Sequence, residues 1–305
     1  MKHYYSLNEY YKNKYGTKVY KLSISGGMTC PNRDGTNGAR GCIFCSDGGS
    51  GEFAEQFCQD IGAQLENAKK RVSAKIKDGK YIAYFQPYTN TYAPTDYLRR
   101  IFFEAIQPNY IVGLSIATRP DCLEDDKIEL LKEINVIKPV SVELGLQTIH
   151  SKTAEYIRRG YPLSEYENAV KKLLEAGIEV VTHIIIGLPG ETNDMILDSV
   201  KYAGRFSDGV KLQLLHVLKN TDLYEEYKKG AFETLTLEKY TDIVCRAIEL
   251  LPENVVIHRI TGDGDKRLLV SPLWSANKKK VLNYMNREFE IRKIKQGSKL
   301  IEKKT

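Results

Sequence analysis

The sequence of 305 residues lacks an apolar run long enough to cross a membrane, and its first twenty residues are polar and aromatic, unlike a signal peptide or an anchor. It also lacks a low-complexity tract and an internal repeat, so nothing in it indicates a repeat architecture. Apolar residues make up 42% of the chain and charged residues 28%, proportions typical of a soluble globular protein. We therefore expect a cytoplasmic protein with a substantial core and no membrane contact.

Cysteine is scarce, and half of it lies in one short stretch. Of the six cysteines, Cys30, Cys42 and Cys45 fall within residues 26–51, together with eight glycines. Eleven residues separate the first two cysteines, and two separate the last pair. Glycine lets a backbone approach a bulky ligand closely, and clustered thiolates bind metal ions and iron–sulfur clusters. Residues 26–51, which we call the cysteine loop, are therefore the candidate metal centre.

Two other interpretations of the cysteine loop remain open. A disulfide framework is disfavoured because the chain is long and shows no signal peptide. A zinc site would need a distant fourth ligand, because no histidine lies between His3 and His150. Three thiolates suit a four-iron cluster with one open iron better. The remaining cysteines are expected to be buried or helical, with an auxiliary role as an alternative for the first of them: Cys58, Cys122 and Cys245.

Strand and helix patterns alternate along the chain. The predicted strands cover residues 18–25, 81–86, 110–117, 140–146, 179–187, 210–217 and 255–260. The predicted helices cover residues 52–77, 95–106, 124–134, 164–176, 193–206, 236–251 and 278–295. Six such strand–helix units indicate an α/β fold with parallel strands, a partial (β/α)6 TIM-like barrel, more than an open doubly wound sheet.

We divide the chain into three parts. Residues 1–17 are an N-terminal segment, residues 18–252 form the barrel with the cysteine loop, and residues 253–305 hold a strand, a loop and a short basic helical extension. In a parallel barrel the chemistry lies at the C-terminal ends of the strands. Polar residues of this sequence follow the predicted strands at those ends, including Gln86 and Arg119.

The net charge of +6 is concentrated near the C-terminus. Residues 276–305 hold ten Lys or Arg and three Glu, a net charge of +7, which leaves the rest of the chain at about −1. A basic segment beside a nearly neutral body favours a polyanionic partner, with nucleic acid first. A solvated helix is the alternative.

Seven ordered motifs carry a resemblance to a known family. They read TCPNRDG, GCIFCS, YFQPYTNTYAP, SIATRPDCL, VELGLQT, HIIIGLPGET and RITGDGD, and they lie between residues 20 and 274. Together they resemble the radical S-adenosylmethionine (radical SAM) enzymes of the YhcC/YtqA group. That group is similar to the radical SAM domain of the Elongator catalytic subunit, a modifier of the wobble uridine of tRNA. The eleven-residue gap departs from the usual three, a departure that a subgroup shares.

The resemblance implies a site and its cofactors. Cys30, Cys42 and Cys45 would hold a 4Fe-4S cluster whose open iron chelates S-adenosylmethionine, and reductive cleavage would give a deoxyadenosyl radical that abstracts a substrate hydrogen. The residues expected to contact S-adenosylmethionine are Gln86, Arg119, Glu143, Gln147, Gly187 and Leu214. Alternatives stay open for three of them: a strand-end amide for Gln86, a satisfied interior carboxylate for Glu143 and a structural ion pair for Arg119.

The resemblance and the basic segment favour tRNA as substrate. The reaction implied is conversion of 5-carboxymethylaminomethyluridine to 5-aminomethyluridine, with flavodoxin or ferredoxin as electron donor. The candidate substrate-binding residues are His183, His216, His258, Arg259, Asp263, Lys266, Arg267, Lys278, Lys279 and Lys280. Histidines on apolar strands are more often core groups, which is the alternative for all three, and the stretch around Gly262 and Gly264 is alternatively a turn. The rival functions are a radical SAM enzyme for a small molecule and a non-enzymatic zinc protein that binds nucleic acid.

Overall fold

The computed structural model describes residues 2–49, 51–73, 79–262 and 264–300. The strands of these residues are, in chain order, β1 Val19–Ile24, β2 Lys80–Phe85, β3 Ile111–Thr118, β4 Val140–Gln147, β5 Glu179–Ile186, β6 Gly209–Leu214, β7 Val217–Leu218, β8 Val256–Arg259 and β9 Leu269–Ser271. Seven of them form one parallel sheet in the order β1-β2-β3-β4-β5-β6-β8, while β7 and β9 form an antiparallel pair. The sheet curls into a half-barrel, which confirms the predicted partial TIM-like fold.

Helices cover the outside of the half-barrel. The α-helices of the described residues are α1 Leu7–Tyr15, α2 Ile61–Ser73, α3 Thr95–Ile106, α4 Asp125–Ile137, α5 Ser151–Tyr156, α6 Leu163–Glu175, α7 Asn193–Phe206, α8 Asp222–Lys228, α9 Leu237–Leu250 and α10 Lys278–Ile291. None of these helices is long and apolar enough to span a membrane.

Some predicted boundaries were wrong. The helix predicted over residues 52–77 begins only at Ile61, because residues 52–60 form turns and Asp60 accepts a hydrogen bond from the backbone N–H of Ala63 at 2.7 Å, as a capping residue does. Its predicted end at residue 77 lies outside the described residues. The strand predicted over residues 210–217 is interrupted after Leu214, and the chain resumes at Val217 in β7, paired with β9. The sequence prediction also missed the short helices α1, α5 and α8.

Side chains on the strands alternate between two environments. On β4, Val142, Leu144 and Leu146 belong to the apolar core that also includes residues of the surrounding helices. Glu143 and Gly145 lie between them and line the interior of the half-barrel. This period of two explains why strands that look apolar overall present polar groups to the inside.

The N-terminal segment closes one end of the half-barrel. Helix α1 buries Tyr11 in a small core with Val19 and Ile82, near the starts of β1 and β2. The hydroxyl of Tyr10 donates to the carboxylate of Glu179, the first residue of β5, at 2.6 Å. The backbone N–H of Ile257 donates to the carbonyl of Tyr5 at 2.8 Å, so the same segment also covers the edge of β8. The other end, where the strands finish, stays open to a cavity.

Candidate active site

A cavity lies at the C-terminal ends of the parallel strands, where the chemistry of such folds is expected. The structure brings most of the predicted site residues to its walls. They are Cys30, Cys42, Cys45, Gln86, Arg119, Glu143, Gln147, His183, Leu214, His216 and Arg259. The three cysteines of one loop and the polar ends of five strands therefore share one space.

Other predicted residues lie outside the walls of this cavity. They are Gly187, His258, Lys266, Arg267, Lys278, Lys279 and Lys280. Gly187 has φ of 95°, and a side chain at its position would meet Leu235. Arg267 lies in the loop between β8 and β9, where it pairs with Asp265 at 2.6 Å. The three lysines are exposed at the start of α10. Asp263 lies outside the described residues.

The cysteine loop is held against residues 157–161, which connect α5 to α6. The amide of Asn32 donates to the carbonyl oxygens of Arg158 and Arg159 at 2.8 and 3.2 Å. Gly160 has φ of 82°, and a Cβ atom there would lie 2.4 Å from Oδ1 of Asn32, so only glycine allows this close approach. We call residues 157–161 the docking segment.

A small apolar core strengthens this contact. Ile43, which lies between two of the cysteines, is buried together with Ile157, Ile185 and Leu223. The backbone N–H of Ile43 donates to the carbonyl of Ile157 at 3.2 Å, and its carbonyl accepts from Leu223 at 2.9 Å. The second half of the loop is spanned by the Arg33 guanidinium, which donates to the carbonyl oxygens of Cys45 and Ser46 at 2.8 and 2.6 Å.

The three thiols have the chemistry of cluster ligands. Burial, reinforced by the neighbouring Cys45, raises the pKa of Cys42 to about 12, and burial also raises the pKa of Cys45 although Arg33 partly offsets it. A bound metal would therefore displace protons that these buried thiols otherwise keep. Nδ2 of Asn32 lies 3.5 Å from Sγ of Cys42, and a guanidinium nitrogen of Arg119 lies 4.0 Å from Sγ of Cys30. Donors directed at sulfur stabilise thiolates bound to iron–sulfur clusters.

The spacing of the ligand groups bears on the kind of metal. Within the ranges that the structure describes, no three His, Cys, Asp or Glu side chains meet closely enough to hold one metal ion. A single tetrahedral zinc ion with bonds of about 2.3 Å would need such close sulfurs. Three cysteines that line one cavity without meeting at a point fit a polynuclear iron–sulfur group better.

Arg119 belongs to a buried arrangement beside the cysteine loop. Its guanidinium binds both carboxylate oxygens of Asp121, at 2.9 and 2.7 Å, and donates to the carbonyl of Arg159 at 3.0 Å. The ring of Tyr161 lies 4.8 Å from the guanidinium carbon of Arg119 and 4.9 Å from that of Arg159. Arg159 in turn donates to the carbonyl oxygens of Leu146 and Thr148, so the docking segment is tied to the end of β4.

A charged layer forms the floor of the cavity. The fully buried carboxylate of Glu143 accepts from Nζ of Lys21 at 2.5 Å, from the hydroxyl of Tyr84 at 2.6 Å and from Nζ of Lys211. Nε2 of His183 lies 3.0 Å from the same carboxylate. One carboxylate thus connects five strands, which matches the alternative of a satisfied interior group. Its predicted contact with S-adenosylmethionine stays a prediction.

The pKa values of this layer follow from burial and charge. Burial alone would raise the pKa of Glu143, but Lys21 and Lys211 outweigh it and hold that pKa well below its usual range. Burial lowers the pKa of His183 to about 4, with Lys211 acting in the same direction. His183 is therefore neutral at physiological pH, and it donates from Nε2 to the ionised Glu143. Burial also lowers the pKa of Lys211 to about 7, although Glu143 opposes the shift.

Sequence reasoning missed several residues of the site. Lys21, Tyr84 and Lys211 each stand at the inward position of an apolar strand, and a charged residue there was an available signal. Asn32, Arg159 and Tyr161 act through contacts with loops that are distant in sequence. The only signal in the sequence for this segment was the run of Arg158, Arg159 and Gly160 after α5.

Comparison with known proteins identifies relatives. Residues 34–203 match the family described as the Radical SAM superfamily, and residues 207–290 match the Radical_SAM C-terminal domain. The chain is 45% identical over 297 residues to YtqA of Bacillus subtilis (strain 168), covering 97% of this chain and 92% of that protein. It is 29% identical over 172 residues to the tRNA uridine(34) acetyltransferase of Methanocaldococcus jannaschii, covering 54% and 31%. Its fold is similar to that of the archaeal Methanocaldococcus infernus Elp3, with a TM-score of 0.70 at 19% identity, covering 91% of this chain and 64% of that chain.

The Glu143 layer predicts a pH-dependent contribution to stability. Glu143→Gln leaves Lys21 and Lys211 buried without their carboxylate, and we expect it to lower the free energy of unfolding by about 3–5 kcal/mol at pH 7. The pKa of Glu143 is lower in the folded state than in the unfolded state, where it is about 4.3. The stabilisation from Glu143 is therefore complete above the unfolded pKa, and it is lost as the pH falls toward the folded pKa. Urea unfolding at several pH values measures both effects. Glu133→Gln, in an exposed pair with Arg99, should barely move the midpoint, and equal shifts for the two variants would contradict the prediction.

The hydrogen bonds between Asn32 and the docking segment are expected to hold the cysteine loop in place. Asn32→Leu leaves the buried carbonyls of Arg158 and Arg159 without this donor, at about 1–3 kcal/mol. Amide hydrogen exchange across residues 30–49 should accelerate roughly tenfold to a hundredfold. Asn37→Leu serves as the control, because Asn37 is exposed on the same loop and makes one contact of 3.4 Å with Asp121. Similar exchange in both variants would mean that Asn32 does not secure the loop.

Proposed function

Because this chain belongs to the radical SAM superfamily, as the resemblance predicted, we propose that Cys30, Cys42 and Cys45 hold a 4Fe-4S cluster and that the neighbouring cavity binds S-adenosylmethionine. When bound, the two groups supply the radical that removes a hydrogen atom from the substrate. The observation that carries this proposal is the position of three partly buried thiols from one loop on the wall of a cavity at the strand ends. Nitrogen donors at Asn32 and Arg119 face two of the sulfurs.

The residues proposed to contact S-adenosylmethionine differ in what supports them. Gln86, Gln147 and Leu214 line the same cavity as the cysteines. Gln147 has φ of 66°, at a register shift between β4 and β5, and such irregularities re-aim side chains beside active sites. Asp121 binds the Nε and Nη2 edge of the Arg119 guanidinium through both of its carboxylate oxygens, which supports the alternative of a structural ion pair. Gly187 lies beyond the cavity walls, so its proposed role is limited to packing.

We propose the wobble uridine of tRNA as the substrate, with conversion of 5-carboxymethylaminomethyluridine to 5-aminomethyluridine. Similarity to a tRNA uridine(34) acetyltransferase over 54% of the chain supports the choice of tRNA. The exposed Lys278, Lys279 and Lys280 at the start of α10 are the proposed phosphate contacts, together with Lys266 and Arg267. Two arginines of this region also pair with carboxylates, Arg267 with Asp265 and Arg292 with Asp242, each at 2.6 Å.

The proposal also includes an electron donor and a reducing cellular compartment. Flavodoxin or ferredoxin would supply the electron, and the cytoplasm would supply the reducing conditions. All six cysteines of the chain are free thiols, as expected of a protein from a reducing compartment.

The function predicts a change in the nucleosides of cellular tRNA. Cells without the gene should accumulate 5-carboxymethylaminomethyluridine and lose 5-aminomethyluridine, measured by mass spectrometry of digested tRNA. Cys42→Ala should fail to restore the product, because one cluster ligand is missing. Cys58→Ser should restore it, because Cys58 is exposed and lies outside the cavity walls.

A second measurement separates the rival functions. The anaerobically reconstituted protein should cleave S-adenosylmethionine under dithionite. Cleavage together with an unchanged nucleoside profile would replace tRNA with a small-molecule substrate. A colourless zinc protein without cleavage would overturn the enzyme assignment.

A further inference from the structure

Two lysines bind one carboxylate at the floor of the cavity, and an arginine lies near one of them. Lys21 from β1 and Lys211 from β6 both bind Glu143. Arg259 from β8 also lines the cavity, and its Cα atom is in register with that of Lys211 on the neighbouring strand. We call Lys21, Lys211 and Arg259 the cationic floor.

The charges of this floor do not balance. Glu143 supplies one negative charge against Lys21, Arg259 and Lys211, and a positive excess remains even though burial lowers the pKa of Lys211 to about 7. The carboxylate of Glu143 already accepts bonds from both lysines. Among the described residues, no carboxylate lies within 4.0 Å of the Arg259 guanidinium, although Arg259 is close enough to Tyr84, His183 and Lys211 to affect their pKa values. A cationic excess beneath a half-closed cavity is costly unless an anion joins it.

The histidines beside the floor do not remove this excess, because burial lowers the pKa values of His183 and His258 and keeps both rings neutral.

A register shift between β6 and β8 explains how Arg259 comes to lie opposite Lys211. Val210 pairs with Ile257 and Lys211 with Arg259, so His258 is the extra residue between them. A bulge of this kind re-aims side chains next to active sites. The ring of His258 packs against Gly209, where a Cβ atom would lie 2.7 Å from Nε2. The backbone of β8 is thus adjusted in a way that sets Arg259 opposite Lys211 at the cavity.

We propose that the cationic floor is the binding site for a carboxylate carried by the substrate, with Arg259 as its principal contact. The guanidinium presents a planar fork of donors that matches a carboxylate, and Lys211 gains an anionic neighbour beside Glu143. The choice of a substrate carboxylate rests on the proposed function, in which the modified base carries a carboxymethylamino group. The floor then distinguishes the substrate from a product that has lost its carboxylate.

Binding of small probes tests the site without turnover. The probes are N-methylglycine, which keeps the carboxymethylamino group, and N-methylethanolamine, which lacks the carboxylate. Ligand-observed NMR on the anaerobically reconstituted protein measures their dissociation constants. Arg259→Gln should weaken N-methylglycine about tenfold or more and leave N-methylethanolamine unchanged. Arg246→Gln is the matched control, because Arg246 lies on α9 and pairs with Asp194 at the surface. Arg259→Lys, which keeps the charge, should recover part of the affinity.

The affinity for S-adenosylmethionine distinguishes the two possible sources of a carboxylate. It should be the same in Arg259→Gln as in the unaltered protein. If that variant weakens S-adenosylmethionine and not N-methylglycine, the floor holds the methionine carboxylate and the proposal is overturned. If it weakens neither, Arg259 is only structural, and the proposal is again overturned.

A tRNA assay separates this inference from the proposed function. With tRNA bearing 5-carboxymethylaminomethyluridine, Arg259→Gln should raise KM, whereas the control Arg246→Gln should leave KM unchanged. Weakened N-methylglycine binding together with inert tRNA would support the carboxylate site and overturn the tRNA function. Normal KM in the variant with active tRNA would uphold the function and overturn the carboxylate site.

Discussion

The buried carboxylate of Glu143 is the contact on which the interior of the half-barrel depends. It receives Lys21, Tyr84, His183 and Lys211 from four other strands, so it connects β1, β2, β4, β5 and β6 across the hollow side of the sheet. Closed parallel barrels usually fill this space with branched apolar side chains. A polar layer instead keeps the space above it open to solvent and ligands. The half-barrel therefore has a cavity with a charged floor, and stability and function share the same residues.

The cysteine loop depends on a different part of the chain. Its first cysteines lie near the end of β1, but the docking segment holds them from beyond β4, through Asn32, Arg159 and the buried Ile43. Arg119 contacts both the docking segment and the cysteine loop, because it donates to the carbonyl of Arg159 and lies near Cys30. It also binds Asp121, which follows β3. The ends of β3 and β4 and the loop are therefore connected by hydrogen bonds. A change in the docking segment would alter the sulfur positions without touching a cysteine.

Much of the fold followed from local patterns, whereas most contacts of the site did not. Alternating strands and helices predicted the parallel half-barrel, and cysteines among glycines indicated a candidate ligand set that lines one cavity. The Glu143 layer was only partly predictable, because a period of two places Lys21 and Lys211 inside but does not say that they meet one carboxylate. Whether these side chains come within hydrogen-bond distance of Glu143 depends on the curvature of the sheet. The shift that sets Arg259 opposite Lys211 is also invisible in sequence, because one skipped residue exchanges inward and outward positions.

The surroundings of Cys42 within the cysteine loop also affect its redox chemistry. Oxidants and alkylating reagents attack the thiolate, and the raised pKa of Cys42 leaves almost none of that form at neutral pH. While no metal is bound, this high pKa protects the sulfur atom of Cys42 from oxidation. Arg33 and Asn32, which favour the thiolate form at Cys45 and Cys42, lower this protection only locally.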